Sequence, residues 1–444
     1  MTDLAARLAE IPGDLDQGLL PGYVFNDPQI HRLELDRLFT KAWCFVGHES
    51  EIPANGDYMV RNIGEDPFIV VRDDDGAVRV LLDACRHRGT RLCRADAGNT
   101  TNFRCPYHGW TYNTKGDLVG APAINTAYKG LDKSQWGLIP AAQVETVHGL
   151  IFASLDPKAA PLDDYLGGMR WYLDLMFGLA DGGMEVVGEP NRFVLDADWK
   201  IGADNFSGDD YHTVFLHKSM WDVGAITIPP VANMQGYHVH AAPGHSVTFS
   251  IADDEDDGGP QFWGYDPEIT AAFRQGDLTA EQFAIARRSR ICVGTVFPNL
   301  SFLMAPLTED PAHAPTGLLS LRQWQPAGPG RMEIWNWVLA WKGTPEALRE
   351  RAYQASIGTF GPAGLFEQDD TEPWQSITRM SGSAYGRAVG MKLNYQMGHQ
   401  GAGIGSVREV TDFPGPGTVL APRYEEGVQI NFYRRWAHYL NGDA

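Results

Sequence analysis

The chain of 444 residues is 43% hydrophobic, 21% charged and 11% aromatic, enough apolar material for about two or three domains, and it excludes a disordered composition. Its 36 basic and 56 acidic residues leave a formal net charge of −20, which repels phosphate backbones and argues against a nucleic-acid partner. No apolar run is long enough to cross a bilayer, and Met1-Thr-Asp-Leu-Ala-Ala-Arg lacks a signal-peptide pattern, so a cytoplasmic chain with no membrane partner is expected.

Residues 1–42 read as a helical lead-in to the larger domain, with Leu33, Leu35, Leu38 and Phe39 interleaved with charges. From Trp43 to Pro157 the pattern turns to short β-rich pieces, Tyr58–Ile63, Phe68–Arg72 and Val78–Leu82, separated by turn signals such as Asp75-Gly76. Further strands are predicted at Thr111-Tyr112 and from Leu150, so residues 43–157 form a small all-β domain. Residues 158–444 alternate helical and strand signals and are predicted to be an α+β domain with a central antiparallel sheet flanked by helices. Helices are predicted over Tyr165–Leu179, Asn205–Met220 and Pro345–Thr359. Strands are predicted over Tyr237–His240, Ser246–Ile251, Thr295–Leu303, Gly317–Gln325 and Met332–Trp341, and Val428–Tyr439 ends in a helix-like pattern. Asp253–Gly259 reads as an acidic surface loop.

Five cysteines in so long a chain do not make a disulfide framework; reduced thiols or metal ligands fit better. Two of them pair with histidines: Cys85-Arg-His87 and Cys105-Pro-Tyr-His108, each followed by a glycine that lets the chain turn without a Cβ clash. A structural zinc site uses the same donors, but zinc fingers group like ligands together. One Cys and one His per loop instead suits a [2Fe–2S] cluster in which two thiolates hold one iron and two imidazoles the other.

A second group lies in Asn205-Phe-Ser-Gly-Asp209-Asp-Tyr-His212-Thr-Val-Phe-Leu-His217. On a continuous helix at about 100° per residue, Asn205, Asp209, His212 and His217 share one stripe. Two imidazoles and a carboxylate form the facial triad of non-haem Fe(II) oxygenases. Far downstream, Phe360-Gly-Pro-Ala-Gly-Leu-Phe366-Glu367-Gln-Asp369-Asp370 reads, on its own, only as an acidic helix turn.

Taken together these residues resemble the large, or alpha, subunit of Rieske non-haem iron aromatic-ring-hydroxylating dioxygenases. The likeness runs from Trp43 to Asn431-Phe-Tyr-Arg-Arg-Trp436 and includes the 17 residues between His87 and Cys105. It departs from respiratory-chain Rieske proteins, whose loops share a disulfide: Cys93 has no partner where Tyr107 stands, and is expected to be a free buried thiol. The resemblance implies a [2Fe–2S] Rieske cluster on Cys85, His87, Cys105 and His108, and a mononuclear Fe(II) on His212, His217 and Asp370, with Asp369 and Glu367 as the competing carboxylates. It implies that Asp209 links a metal-bound histidine to a Rieske histidine of a neighbouring subunit, with Asn205 beside it.

The same likeness implies a homotrimer of this chain, and the Phe360–Asp370 segment is similar to that of large subunits with a small beta subunit, as in an α3β3 assembly. A ferredoxin and an NADH-dependent reductase would supply electrons, and both atoms of O2 would add to an arene to give a cis-dihydrodiol. The pocket is expected to use Phe206, Phe215, Phe360 and Phe366, with Asn299 and Phe302 as weaker candidates. A carboxylated arene would need a buried cation, for which Lys218, Arg290 and Arg379 are candidates. A Rieske monooxygenase or demethylase on an aromatic acid would use the same ligands; a pure Rieske electron carrier would need no facial triad.

Overall fold

A computed structural model describes residues 4–128, 130–224, 236–252, 260–310, 312–399 and 407–442. The predicted loop Asp253–Gly259 lies outside them. The chain divides into two compact units, one formed by Phe39–Leu162 and the other by Met1–Leu38 with Asp163–Ala444.

The smaller unit is built from three antiparallel sheets. Asp57–Ile63 and Asp66–Arg72 pair in register from Tyr58 opposite Val71 to Ile63 opposite Asp66, and Val78–Leu82 and Ala97–Asn99 extend this sheet on either side. Cys44–His48 joins the Gln143–Val147/Leu150–Ser154 hairpin. The third sheet holds Asn102–Arg104, Thr111–Asn113 and Leu118–Gly120. The predicted Asp75-Gly76 turn closes a hairpin: Gly76 adopts φ +83° and the Asp73 carboxylate accepts from the Asp75 and Ala77 amides. Alternation puts Ile69, Val71, Leu81, Phe103, Tyr112 and Leu118 inward, where they pack around Cys85 and Cys105.

The larger unit is centred on a ten-stranded sheet in which every pairing is antiparallel. Its order is Met184–Val186, Met332–Trp341, Thr316–Pro326, Leu300–Leu307, Ser289–Val296, His245–Ile251, Tyr237–Ala242, Thr418–Ala421 and Arg408–Glu409, with Asn191–Leu195 also on Met332–Trp341. The single strand predicted over Thr295–Leu303 is instead a hairpin: Val296 pairs with Leu300 across Phe297-Pro298, a proline that has no amide to give the ladder. The predicted Tyr165–Leu179 helix is also two pieces, Leu162–Leu166 and Met169–Phe177, parted at Gly167, whose φ is +50°. No helix among the described residues is long and apolar enough to cross a membrane.

The Trp199–Gly208 helix lies on strands Ser289–Val296, His245–Ile251 and Thr316–Pro326. Asp198 caps it by accepting from the Lys200 amide, and the buried Lys200 ammonium is held at 2.7 Å by both Glu34 and Asp198. Contact with the sheet is close because Gly202 has no side chain: a Cβ there would stand 2.4 Å from the Trp324 ring. Trp324 is fully buried and has nowhere to move. Gly202→Ala is therefore expected to cost about 1–3 kcal/mol by overpacking, read as a lowered midpoint of thermal unfolding.

Candidate metal centres

In the smaller unit, two loops of the same shape face each other. The Cys85 carbonyl accepts from the Gly89 amide at 2.8 Å, and the Cys105 carbonyl from the Gly109 amide at 3.0 Å. Each cysteine amide donates to the carbonyl five residues on, Thr90 or Trp110. Both glycines are left-handed, at φ +78° and +71°, which a side chain would strain. The loops bring the His87 and His108 rings to 4.6 Å between centroids, with His87 stacked on Trp110 at 5.1 Å. The Tyr112 hydroxyl lies 3.4 Å from Cys85 Sγ and accepts from the Arg86 amide. Asp83, fully buried at the first loop, accepts from the Leu92 and Cys93 amides and from Arg91. Burial, followed by the neighbouring Cys105, pushes the Cys85 thiol up.

The Nδ1 atoms of His87 and His108 are both buried without a hydrogen-bond partner. Buried polar atoms are rarely orphaned. Two such imidazoles beside two buried thiols fit a [2Fe–2S] cluster held by two cysteines and two histidines. Cys93 is a free, buried thiol whose pKa is pushed up to about 12, by burial first.

In the larger unit the predicted continuous helix over Asn205–Met220 is broken into three. Trp199–Gly208 ends where Gly208 takes φ +148°, Thr213–Leu216 forms one turn, and Lys218–Asp222 another. His212 and His217 flank the middle turn rather than sharing a stripe. The break still brings them together. One donor atom each from His212, His217 and Asp370 lies within 4.8 Å of the others, and they are the one such group among the described residues.

Outer partners orient both rings. Asp209 faces His212 Nδ1 through its carboxylate at 3.4 Å and through its backbone carbonyl. Asp369 takes His217 Nδ1 at 3.2 Å. Each Nε2 then points at Asp370 Oδ1, at 3.5 Å from His212 and 3.2 Å from His217. Asp370 Oδ1 is buried and has no hydrogen-bond partner, and Asp209 Oδ1 is in the same state. A buried set of two imidazoles and a carboxylate, each imidazole fixed through its other nitrogen, fits a mononuclear iron site. Of the three competing carboxylates, Asp370 faces both rings, Asp369 holds one of them, and Glu367 turns to Arg322 at 2.5 Å.

A cavity of about 110 Å³ opens beside these three residues. Phe206, Phe360 and Phe366 line it, with Asn205 and Asp209 at the polar side. Phe360 and Phe366 stack at 5.4 Å, and Phe366 meets the His217 ring edge-on at 4.9 Å. Phe215 does not belong there: it is 79% exposed, because the break in the helix turns it outward. Phe302 and Asn299 are buried in the sheet away from the cavity wall, and Lys218, Arg290 and Arg379 are not on it either. Sequence reasoning missed the sheet's share of the wall, Ile291, Val293, Leu303, Ala305, Pro306 and Leu307; alternation on two strands was the available signal.

It also missed the clamp on the break. The Asp210 carboxylate accepts from His238 Nε2 at 2.9 Å and Thr248 at 2.6 Å, with Arg423 at 3.3 Å. His238 also faces Glu425 at 3.0 Å; burial lowers its pKa, but the two carboxylates outweigh this and raise it to about 9.

The fold and its two donor sets define a Rieske non-haem iron oxygenase. Residues 42–140 match the Rieske [2Fe-2S] domain, and residues 162–442 match the ring hydroxylating alpha subunit (catalytic domain). The chain belongs to the ring-hydroxylating oxygenase alpha-subunit family, whose cofactors are a Rieske [2Fe–2S] cluster and a mononuclear non-haem iron. It is 40% identical to the N,N-dimethyl phenylurea N-demethylase subunit alpha of Sphingobium sp. (strain YBL2), covering 100% of this chain and 95% of that one. It is 33% identical to the biphenyl 2,3-dioxygenase subunit alpha of Rhodococcus jostii (strain RHA1), covering 99% and 91%. Among solved structures, naphthalene 1,2-dioxygenase from Rhodococcus sp. bound to indole superposes with a TM-score of 0.94 at 42% identity, covering 100% of this chain and 99% of the other.

The site also carries a pH dependence. Burial alone would lower the His212 pKa, but Asp209 and Asp370 outweigh it and raise the value from 6.5 to about 9. In the metal-free protein the stability from this charged imidazole is present in full below about 6.5 and is lost as pH rises through about 9. Iron held through His212 Nε2 would take the place of that proton. Fe(II) uptake by metal-free protein is expected to release protons and to tighten between pH 6.5 and 8.5, measured by anaerobic titration in weak buffer.

Proposed function

We propose that this chain is the terminal oxygenase component of a multicomponent ring-hydroxylating dioxygenase, adding both atoms of O2 to an apolar arene to give a cis-dihydrodiol. Electrons come from NADH through a separate reductase and a ferredoxin. Cys85, His87, Cys105 and His108 hold the cluster, and His212, His217 and Asp370 hold the iron. When bound, the cluster supplies one-electron transfer and the iron, with open positions, supplies O2 activation.

The observation that carries the reading is the cavity: aromatic and aliphatic walls beside the three donors, with no Lys or Arg among its described lining residues. Phe206, Phe360 and Phe366 receive a flat ring by stacking and burial, hold it in register and keep water out. The missing cation argues against a carboxylated substrate. Asp209 accepts the Nδ1 proton of His212, leaves Nε2 free to ligate, and has a second oxygen with no partner. The Asp209 side chain is itself 28% exposed, and its carboxylate serves as the acceptor for a cluster histidine of a neighbouring subunit. A groove of about 1060 Å³ beside Asp209, lined by Phe215, Leu216, Ile377 and Met380, supports a second copy docking there. The working assembly is then a homotrimer, joined by a small beta subunit as α3β3.

A specific observation favours a second reading, oxidative N-demethylation of an aryl substrate: a relative 40% identical along the whole chain carries that name. The two readings part on isotope. With NADH, reductase and ferredoxin under 18O2, an unsubstituted arene should yield a diol with both oxygens labelled. Formaldehyde from an N-methyl aryl compound, with no labelled diol from any arene, would replace dioxygenation by demethylation. In either case His212→Ala should lower iron per labile sulfide from about three to two to about two to two, keep the cluster's absorption and abolish turnover.

A further inference from the structure

Behind the cavity's aromatic wall the central sheet carries a charge that the chemistry above does not use. Arg322, on strand Thr316–Pro326, and Glu367, in the first turn of the Leu365–Ser381 helix, pair at 2.5 Å, and each is 1% exposed. Their other polar atoms, Arg322 Nε and Nη1 and Glu367 Oε1, have no hydrogen-bond partner. Such a pair is a poor source of stability, since apolar residues of equal volume commonly serve as well. Its position is specific, however. The guanidinium lies over the Phe206 ring at 5.0 Å and the Phe360 ring at 4.7 Å, both of which line the cavity. Glu367 stands three residues, one helical turn, before Asp370 on the same helix.

A neighbouring strand grips the other end of the segment. Asn336, which faces Arg322 across the sheet, donates to the Phe360 carbonyl at 3.2 Å, and Ser320 fixes the Asn336 amide at 2.5 Å. The sheet thus holds Phe360 by its backbone and Glu367 by its carboxylate. Between and just beyond these anchors come Phe366 and Asp370.

We propose that the Arg322–Glu367 pair is a positioning device: it fixes the Asp370 carboxylate against the two histidines and holds the Phe206/Phe360 wall in place for the aromatic substrate. The idea rests on the reading of Asp370 as an iron ligand. Arg322 and Glu367 act through their neighbours and touch neither iron nor substrate.

Three variants test it on the iron-loaded protein, Arg322→Met with Glu367→Leu, Glu367→Gln alone and Arg322→Lys, and a fourth, Asp370→Asn, tests the ligand reading beneath it. The readouts are the rate at which a ferrous chelator removes the mononuclear iron, the affinity for indole, and the thermal midpoint. The double variant should melt close to the parent yet lose iron about tenfold faster or more, the scale seen when a ligand's outer partner is removed. Glu367→Gln should also lose iron faster. Arg322→Lys keeps the charge pair but gives up planar stacking, so it should keep iron at the parental rate and bind indole more weakly. Parental iron retention and indole affinity in the double variant would overturn the proposal, as would iron loss that simply tracks the thermal midpoint across the set. Asp370→Asn should arrive without the third iron. Should it keep that iron, the ligand reading itself falls and takes the proposal with it, whatever the other three variants do.

Discussion

The larger unit is organised around one constraint: two imidazoles and a carboxylate must be buried together with their donor atoms facing inward and unpaired. Left alone, such atoms would turn to any available partner, because an orphaned buried polar group costs about 1–3 kcal/mol. Asp209 and Asp369 prevent this by occupying Nδ1 of His212 and His217, so each ring is left with its Nε2 toward Asp370. The ring orientations are therefore set by groups that do not themselves join the triad.

That arrangement cannot be made on a straight helix, and the break at Gly208 follows from it. A Cβ on Gly208 would stand 2.7 Å from Val428, and its φ of +148° is open to glycine alone. Beyond it, the four residues up to His212 leave the helical path, and Asp210 is tied to the sheet through His238, Thr248 and Arg423. Three donors on one carboxylate hold the break in place. The adjacent Asp204 is a second anchor: Tyr395 and Tyr433 each donate to it at 2.7 Å, while burial, the largest influence, raises its pKa to about 7. Fixed polar groups on both sides of the break hold the histidines where a flexible loop would let them relax toward each other.

What could be read from the sequence divides along the same line. The Cys-x-His and Cys-x-x-His loops were legible because each Cys/His pair sits within one tight turn, and the short alternating strands around them carry a period-2 signal. His212 and His217 were legible as residue types, but the helical stripe that grouped them was the wrong reason. The break that groups them has one local mark, Gly208 inside the predicted helix, but it depends equally on Val428 and on Asp210 with its distant partners, which leave none. Phe215 was misplaced for that same cause. Asp370 lies 153 residues after His217 in the numbering, so only resemblance could separate it from Asp369 and Glu367. The Arg322–Glu367 pair and the Asn336 hold on Phe360 are products of sheet register, which a single sequence does not announce.

The cavity divides its labour between a donor-bearing polar side and an apolar side. The polar side, with Asn205, Asp209 and Asp210, comes from the broken helix, where Asp209 faces His212 and Asp210 anchors the break. The apolar side comes from two strands, Ser289–Val296 and Leu300–Leu307, and from Phe360 and Phe366. Phe366 meets the His217 ring, and a volume-conserving exchange of one apolar side chain in such a wall costs about 1.5 kcal/mol or less. The part of the wall carried by the two strands thus stands apart from the elements that bear the donors, and a side chain exchanged there reshapes the cavity without touching the segment that holds the histidines.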